Sequence, residues 1–462
     1  MKDLLILSLA IFSIILVHPI SLISYSGGNG SVSNPYQIDN PADLQQIMDN
    51  DGDWDKHFIL TDDIDCTSLT TPNAIGTITT TNVEIPFTGT FDGDNHTIRN
   101  LTINNPSNDF VGLFALISDA KIKDLKIEQS EFTGLVAAPI VIAENSEITN
   151  VHANCRISCF LYGSGLFSLA EGCIIRSCSS DGQVTTNLYS GGFITECGDC
   201  IIRHCHSDVN SYTSGLSGGF IGEGYDSYIE YCYSTGDVIA DHEEIAGFIE
   251  YCYNSKIKRC YSTSFISADH FCGGFADLVE NSIISECYYS GNIDAISYIG
   301  GFIVEISSDG GTSSVSDCYS SGNIYSSEFT GGFVGYNYNS TIQRCYSTMK
   351  VMPGNFSGGF GSENDGGTYI CNFWDTQASG HTDGFGDGFT DPGVQGKTTS
   401  QMKDPSIFQN CNWDMNNVWF KPTEDSYLKL WEVEIPTLAE WGSILFAFLL
   451  LVIGGYYIIK FS

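Results

Sequence analysis

Eight phenylalanines recur through the middle of this chain at an almost constant interval. Phe167, Phe193, Phe220, Phe248, Phe275, Phe302, Phe333 and Phe360 stand 26, 27, 28, 27, 27, 31 and 27 residues apart. A second series keeps step with them: Cys178, Cys205, Cys232, Cys260, Cys287, Cys318, Cys345 and Cys371. The same interval carries this column back onto Val151 and Leu125. Aliphatics standing in for cysteine imply that the column asks for a small apolar residue rather than a thiol. A fixed period between about 20 and 50 residues marks a solenoid.

The residues inside each unit specify strands. They are rich in Ile, Val, Phe, Tyr, Ser and Thr and are broken by Gly, Asn and Asp every few positions, the composition of short strands joined by turns. Cys232, Ser234, Gly236 and Val238 keep a period of two, which puts them on one face of an extended chain. Ile229 lies three residues before Cys232, an odd spacing that requires a corner or bulge if both point inward. One such unit exposes too much backbone and buries too few side chains to fold alone; stacked in register, its strands pair with the next coil and like residues form internal ladders. The expected architecture is all-β, a right-handed parallel β-solenoid of about ten coils of roughly 27 residues, which at ~4.8 Å per coil would be a rod on the order of 45–50 Å long.

Gly219-Phe220-Ile221-Gly222 and Gly332-Phe333-Val334-Gly335, each followed by a turn and a cysteine-bearing strand, resemble the GLUG motif. Phe stands where that family prefers Leu, and Glu250, Asp277 and Ser362 replace the last Gly in other copies. The resemblance covers residues 87–371. It implies a bacterial surface or secreted protein, since such repeats occur in adhesin-like chains and beside IgA-peptidase domains, and the repeat carries no known chemistry.

The flanks divide the rest of the chain. Residues 1–24 read as a signal peptide, because the apolar run Leu4 to Val17 after Lys2 is too short to span a bilayer. Residues 25–86 read as an N-terminal cap and leading coils. Asn40-Pro41 followed by Asp43 is a helix start, and a helix there would shield the first coil's strand edges. Strands are expected at Phe58 to Asp65 and Phe87 to Phe91, with a turn at Asp92 to Asn95. Residues 372–434 read as a C-terminal cap containing a glycine-rich loop, its stretch His381 to Gly393 having so little apolar content that it is predicted to be mobile.

Residues 435–462 read as a sorting signal and transmembrane helix. The apolar run Ile444 to Ile459 follows Trp441 and is about long enough to cross a membrane. Ile435, Pro436, Thr437, Leu438, Ala439, Glu440, Trp441 and Gly442 resemble the IPTL-type C-terminal signal, with Ala439 in place of Ser and only Lys460 of the usual basic tail. That resemblance implies anchoring at the envelope of a Gram-negative-type bacterium and an envelope sorting protease as partner.

A formal charge of −36 excludes nucleic acid as a partner. Of the 17 cysteines, those in the ladder are expected as buried free thiols, because parallel Cβ vectors one coil apart suit a disulfide poorly. Cys173, Cys197 and Cys200 fall outside it, and Cys197-Gly198-Asp199-Cys200 beside His204 lacks the second pair a zinc site needs. No metal or other cofactor is expected. Calcium is the one cation that the acidic turns Asp62, Asp63, Asp65, Asp92 and Asp94 could take, although they lack the spacing of a calcium loop and are read as turn residues.

Two function classes fit. One is a noncatalytic rod, anchored in the envelope through its C-terminal helix, that serves adhesion or ligand binding. The alternative is a carbohydrate-active enzyme, a polysaccharide lyase or glycosidase, for which Glu196, Glu223, Glu250, Asp277 and Glu305 lie near one corner of successive coils. Those acids follow the repeat where catalytic groups would break it, so the noncatalytic rod is preferred. Its candidate binding residues are Tyr233, Tyr261, Tyr288, Tyr319 and Tyr346, each immediately after a ladder cysteine. If the cysteines face in, the tyrosines face out as a stripe fit for a glycan or a surface-protein ligand.

Overall fold

The computed structural model describes residues 25–430 apart from 71, 79–83, 106–109, 242–243, 309 and 327. The segments read as signal peptide, sorting signal and transmembrane helix lie outside the described residues. Within them no helix is long and apolar enough to cross a membrane.

The chain is a parallel β-solenoid of about ten turns. Ten successive coils each contribute one strand to a ten-stranded sheet that begins with Phe114–Ser118 and ends with Gly361–Asp365. Their other strands join a second, larger sheet, in which strands also pair parallel with their counterparts in the next coil, as Ile201↔Tyr228 and Tyr228↔Lys256. Coil stacking begins earlier than the repeats, with Tyr36–Ile38 on His57–Leu60. It ends with Asn372–Asp375 on Val394–Lys397. A helix, Pro41–Asp49, precedes the second of these coils; the Asn40 side chain accepts from the Ala42 and Asp43 amides and caps it, while Leu44, Ile47 and Met48 face the core.

The interior consists of ladders. Phe193, Phe220, Phe248, Phe275, Phe302, Phe333 and Phe360 are buried and stack 4.7–5.1 Å apart, the coil spacing itself. Ile175, Ile202, Ile229, Ile257 and Ile284 make a second, and the cysteines a third. Between the last two runs the expected corner: Ser177, His204, Tyr231, Arg259, Glu286, Asp317 and Arg344 all have φ between 52° and 56°. Left-handed backbone at such residues costs ~1 kcal/mol apiece, and the outward side chains offset it by contacts along the column, as in the His204–Tyr231 stack and the Arg259–Glu286 and Arg344–Asp317 pairs.

The corner explains the cysteines better than apolarity does. The Cys232 thiol donates to the Glu230 carbonyl at 3.4 Å, and its backbone N–H donates to the Cys260 sulfur at 3.4 Å; Cys260 repeats both bonds with Lys258 and Cys287. The thiol thus satisfies backbone groups that the turn leaves over. A parallel ladder at the neighbouring turn uses serine for the same task, Ser227 bonding to Tyr225 and Ser255 to Tyr253, with the Cys200 and Ser227 amides donating across coils. Cys173 and Cys200 occupy serine positions in this second ladder, where the Cys173 thiol donates to Glu171.

Two sequence expectations fail at the far end. Cys371 is not in the ladder: it sits at the left-handed corner with φ 56°, and Asn372 takes the interior slot, its carboxamide accepting from the Cys345 amide at 2.9 Å. Cys371 instead forms a disulfide with Cys411. The glycine-rich segment is packed rather than mobile. Phe385 is buried against Phe360 and Tyr369, and the Gly384 carbonyl accepts from the Phe360 and Gly361 amides, closing the last coil.

Candidate functional site

The five candidate tyrosines form one outer ladder, and it divides in two. Each ring lies one coil from the next, with His206 ahead of Tyr233; centroids are 4.8–5.1 Å apart and planes within 6° of parallel. Cysteine points in and tyrosine out, but the ring faces are consumed by stacking on one another, so only ring edges and hydroxyl ends are left to meet anything else. Tyr233, Tyr261 and Tyr288 are half-buried. Tyr319 and Tyr346 are buried, so the exposed stripe expected from five residues is shorter. Residues 402–430 cover them, Met402, Phe408, Trp413, Trp419 and Leu428 packing on the two rings. The Tyr346 hydroxyl donates to the Leu428 carbonyl, and Trp419 Nε1 donates to Asp317 at 3.2 Å. At the border a groove of about 390 Å3 runs between Tyr288, Tyr319 and Tyr346 on one side and Ser426 to Lys429 on the other.

A second outer ladder has no counterpart in the sequence reading. Phe271, Tyr298, Phe329 and Phe356 stack 4.8–4.9 Å apart, all four with φ between 48° and 58°. Phe356 remains 45% exposed, and such strained, exposed aromatics cluster at functional surfaces. Its signal was available: an aromatic stands four residues before the ladder Phe in each of these coils. Earlier coils carry Tyr189, Leu216 and Glu244 at this position, and Tyr162 stacks on Tyr189 at 5.1 Å. An apolar groove of about 400 Å3 opens beside this column, lined by Tyr162, Ser168, Leu169 and Glu196 among others.

The five acids considered for catalysis occupy two adjacent columns. Glu196 pairs with Glu223, whose next partners are Tyr251 and Leu278, with Glu305 beyond; these stand at the outer wall. Glu250 and Asp277 lie one position earlier and are only 4% exposed each. A ligand oxygen of each lies within 4.8 Å of the other's and of one on Glu244. Glu250 Oε2 and Asp277 Oδ1 are buried without a hydrogen-bond partner. Burial, and then the surrounding acids, pushes both carboxyls well above their ordinary range. The wall acids are less affected, Glu196 and Glu305 being raised by partial burial first and by neighbouring carboxylates second.

The remaining candidates are structural. Cys197 and Cys200 are buried inside the coil, whereas His204 turns outward onto Tyr231, so the three do not converge. Among the acidic turns, Asp63 accepts from the Thr97 amide, Asp65 from Thr67, Asn100 and Arg99, and Asp92 pairs with Lys123; their oxygens are engaged within the fold.

The family model for the GLUG motif matches residues 330–352, the coil holding Gly332-Phe333-Val334-Gly335 and Cys345. The chain carries the GLUG motif. A 125-residue stretch, 27% of the chain, is 35% identical to "Halomucin" of Haloquadratum walsbyi. A 95-residue stretch, 21% of the chain, is 30% identical to a "Putative Gly-rich membrane protein" of Evansella cellulosilytica. The matches span 1% and 11% of those relatives' lengths. Among solved structures, a "putative immunoglobulin A1 protease from Bacteroides ovatus" superposes with a TM-score of 0.40 at 15% identity, over 88% of this chain and 95% of that one, a fit too loose to transfer anything to this GLUG chain.

Proposed function

We propose that this chain is a noncatalytic rod of the bacterial cell envelope that binds a glycan or surface protein along the half-exposed part of its tyrosine ladder. The observation that carries the reading is the stack of Tyr233, Tyr261 and Tyr288, 4.8–4.9 Å apart, which sets three half-buried ring edges in a straight row. A repeating or extended ligand can meet such a row with repeated contacts, each weak and jointly specific. The surface location is supported by the likeness to a protein named as a membrane protein and by the expected anchor at Ile444 to Ile459 and sorting signal at Ile435 to Gly442. A noncatalytic role is supported by the burial of Glu250 and Asp277 and by coil pairing that continues unbroken across them. A glycan array and a panel of cell surfaces, probed with wild type and with Tyr233→Ser/Tyr261→Ser/Tyr288→Ser, test the reading. Binding is expected to vanish in the triple variant while its circular dichroism stays that of the wild type. Equal binding by both proteins would remove the ladder as the binding surface.

A further inference from the structure

The aromatic outer column is interrupted at one coil by an acid, and that acid lies over the two buried ones. Leu216, Glu244 and Phe271 are successive members of this column by register, and Glu244 is its one carboxylate among the described residues. The coil it belongs to is also a residue longer than its neighbours, Phe220 to Phe248 spanning 28 residues against 27 on either side. Beneath it, Glu250 and Asp277 fall on the position where the motif has Gly222. At Gly222 a Cβ would come within 2.5 Å of the Thr195 carbonyl; in the next two coils the same position carries the buried carboxylates. We propose that Glu244, Glu250 and Asp277 together bind one calcium ion at this corner of the solenoid.

Three features point to a cation of this kind. First, Glu250 Oε2 and Asp277 Oδ1 are buried with no donor to satisfy them, and a buried orphan oxygen is costly unless something unseen by the protein's own atoms completes it. Second, the charged groups among the described residues that act on the pair are Glu223, Glu244 and Glu305, all of one sign, so each adds repulsion that a bound cation would relieve. Third, the spacing fits: ligand oxygens within 4.8 Å of one another can all lie at the ~2.3–2.6 Å that calcium requires, whereas magnesium asks for ~2.0–2.1 Å in strict octahedral order and zinc prefers nitrogen and sulfur. Glu244, half-buried, closes the solvent side, and water completes the shell.

Calorimetric titration of the chelator-treated, purified protein with calcium chloride tests the site, with thermal unfolding as second readout. Wild type should show a saturable binding event and a calcium-dependent rise in midpoint that magnesium at equal concentration does not reproduce. Glu250→Gln/Asp277→Asn should lose both while remaining folded in chelator, because it removes the repulsion along with the ligands. Glu244→Gln, which alters only the outer ligand, should weaken binding by about tenfold. Absence of a saturable event in wild type, or equal affinity in the double variant, would overturn the proposal. Should the double variant misfold, unchanged affinity in Glu244→Gln would overturn it equally.

Discussion

Tyr261 and Tyr346 answer to the same sequence signal and stand on the same ladder, yet one is half-buried at an outer face and the other lies inside a second hydrophobic core. The difference comes from 29 residues that arrive from beyond the repeats. Residues 402–430 lay Phe408, Trp413, Trp419 and Leu428 over the last rings. The Tyr427 hydroxyl donates to buried Asp375 at 2.7 Å, and Cys411 is bonded to Cys371. A repeat therefore sets the phase of a side chain, inward or outward, but not its exposure, which depends on what else reaches that face.

Removing the clamp should convert the closed half into a copy of the open one. Trp419 is fully buried, and Trp419→Ala is expected to destabilise the C-terminal coils by about 3–5 kcal/mol and leave Asp317 without its indole donor; local hydrogen exchange at residues 317–347 should accelerate far more than at residues 230–262. Opening the covalent tie should act in the same direction but less. Cys371→Ser/Cys411→Ser is expected to cost about 2–4 kcal/mol, seen as a lower thermal midpoint and as faster proteolysis confined to residues 398–430.

The smallest effect lies at the other end of the ladder. His206 stacks on Tyr233 at 4.8 Å, and burial, helped by His152, holds its ring below the usual imidazole range, with Asp208 and Asp181 opposing. Because the folded state disfavours the charged ring, its stabilising share is complete above the unfolded value of ~6.5 and is lost as pH falls toward the folded value. His206→Tyr should extend the stack and flatten that acid-side loss, measured as unfolding midpoints between about pH 7 and 5. An unchanged pH slope would show that the ring titrates as in the unfolded chain.

What the sequence revealed and what it concealed follow from spacing. The phenylalanine and cysteine columns were legible because the period repeats them, and the outward phase of the tyrosines because each directly follows an inward residue. Counting failed where one position decides the outcome. Cys371 lies 26 residues after Cys345 and Asn372 lies 27, so the ladder passed to the asparagine. Glu223 is three residues past its phenylalanine while Glu250 is two past its own, enough to put one acid on the wall and the other on the floor. The motif itself held the clue, since Glu250 and Asp277 replace its final glycine. The clamp was not legible, because Trp419 meets Asp317 across 102 residues and no period links them. Nor was the packing of the glycine-rich turn, where Phe385 and Phe389 alone outweigh a polar composition.

The division of the ladder can be read directly by iodinating tyrosines in the folded protein and mapping the label by peptide mass spectrometry. Tyr233, Tyr261 and Tyr288 are predicted to label and Tyr319 and Tyr346 to be protected, with Trp419→Ala exposing the last two as well. Equal labelling of all five rings in the wild type would contradict the account.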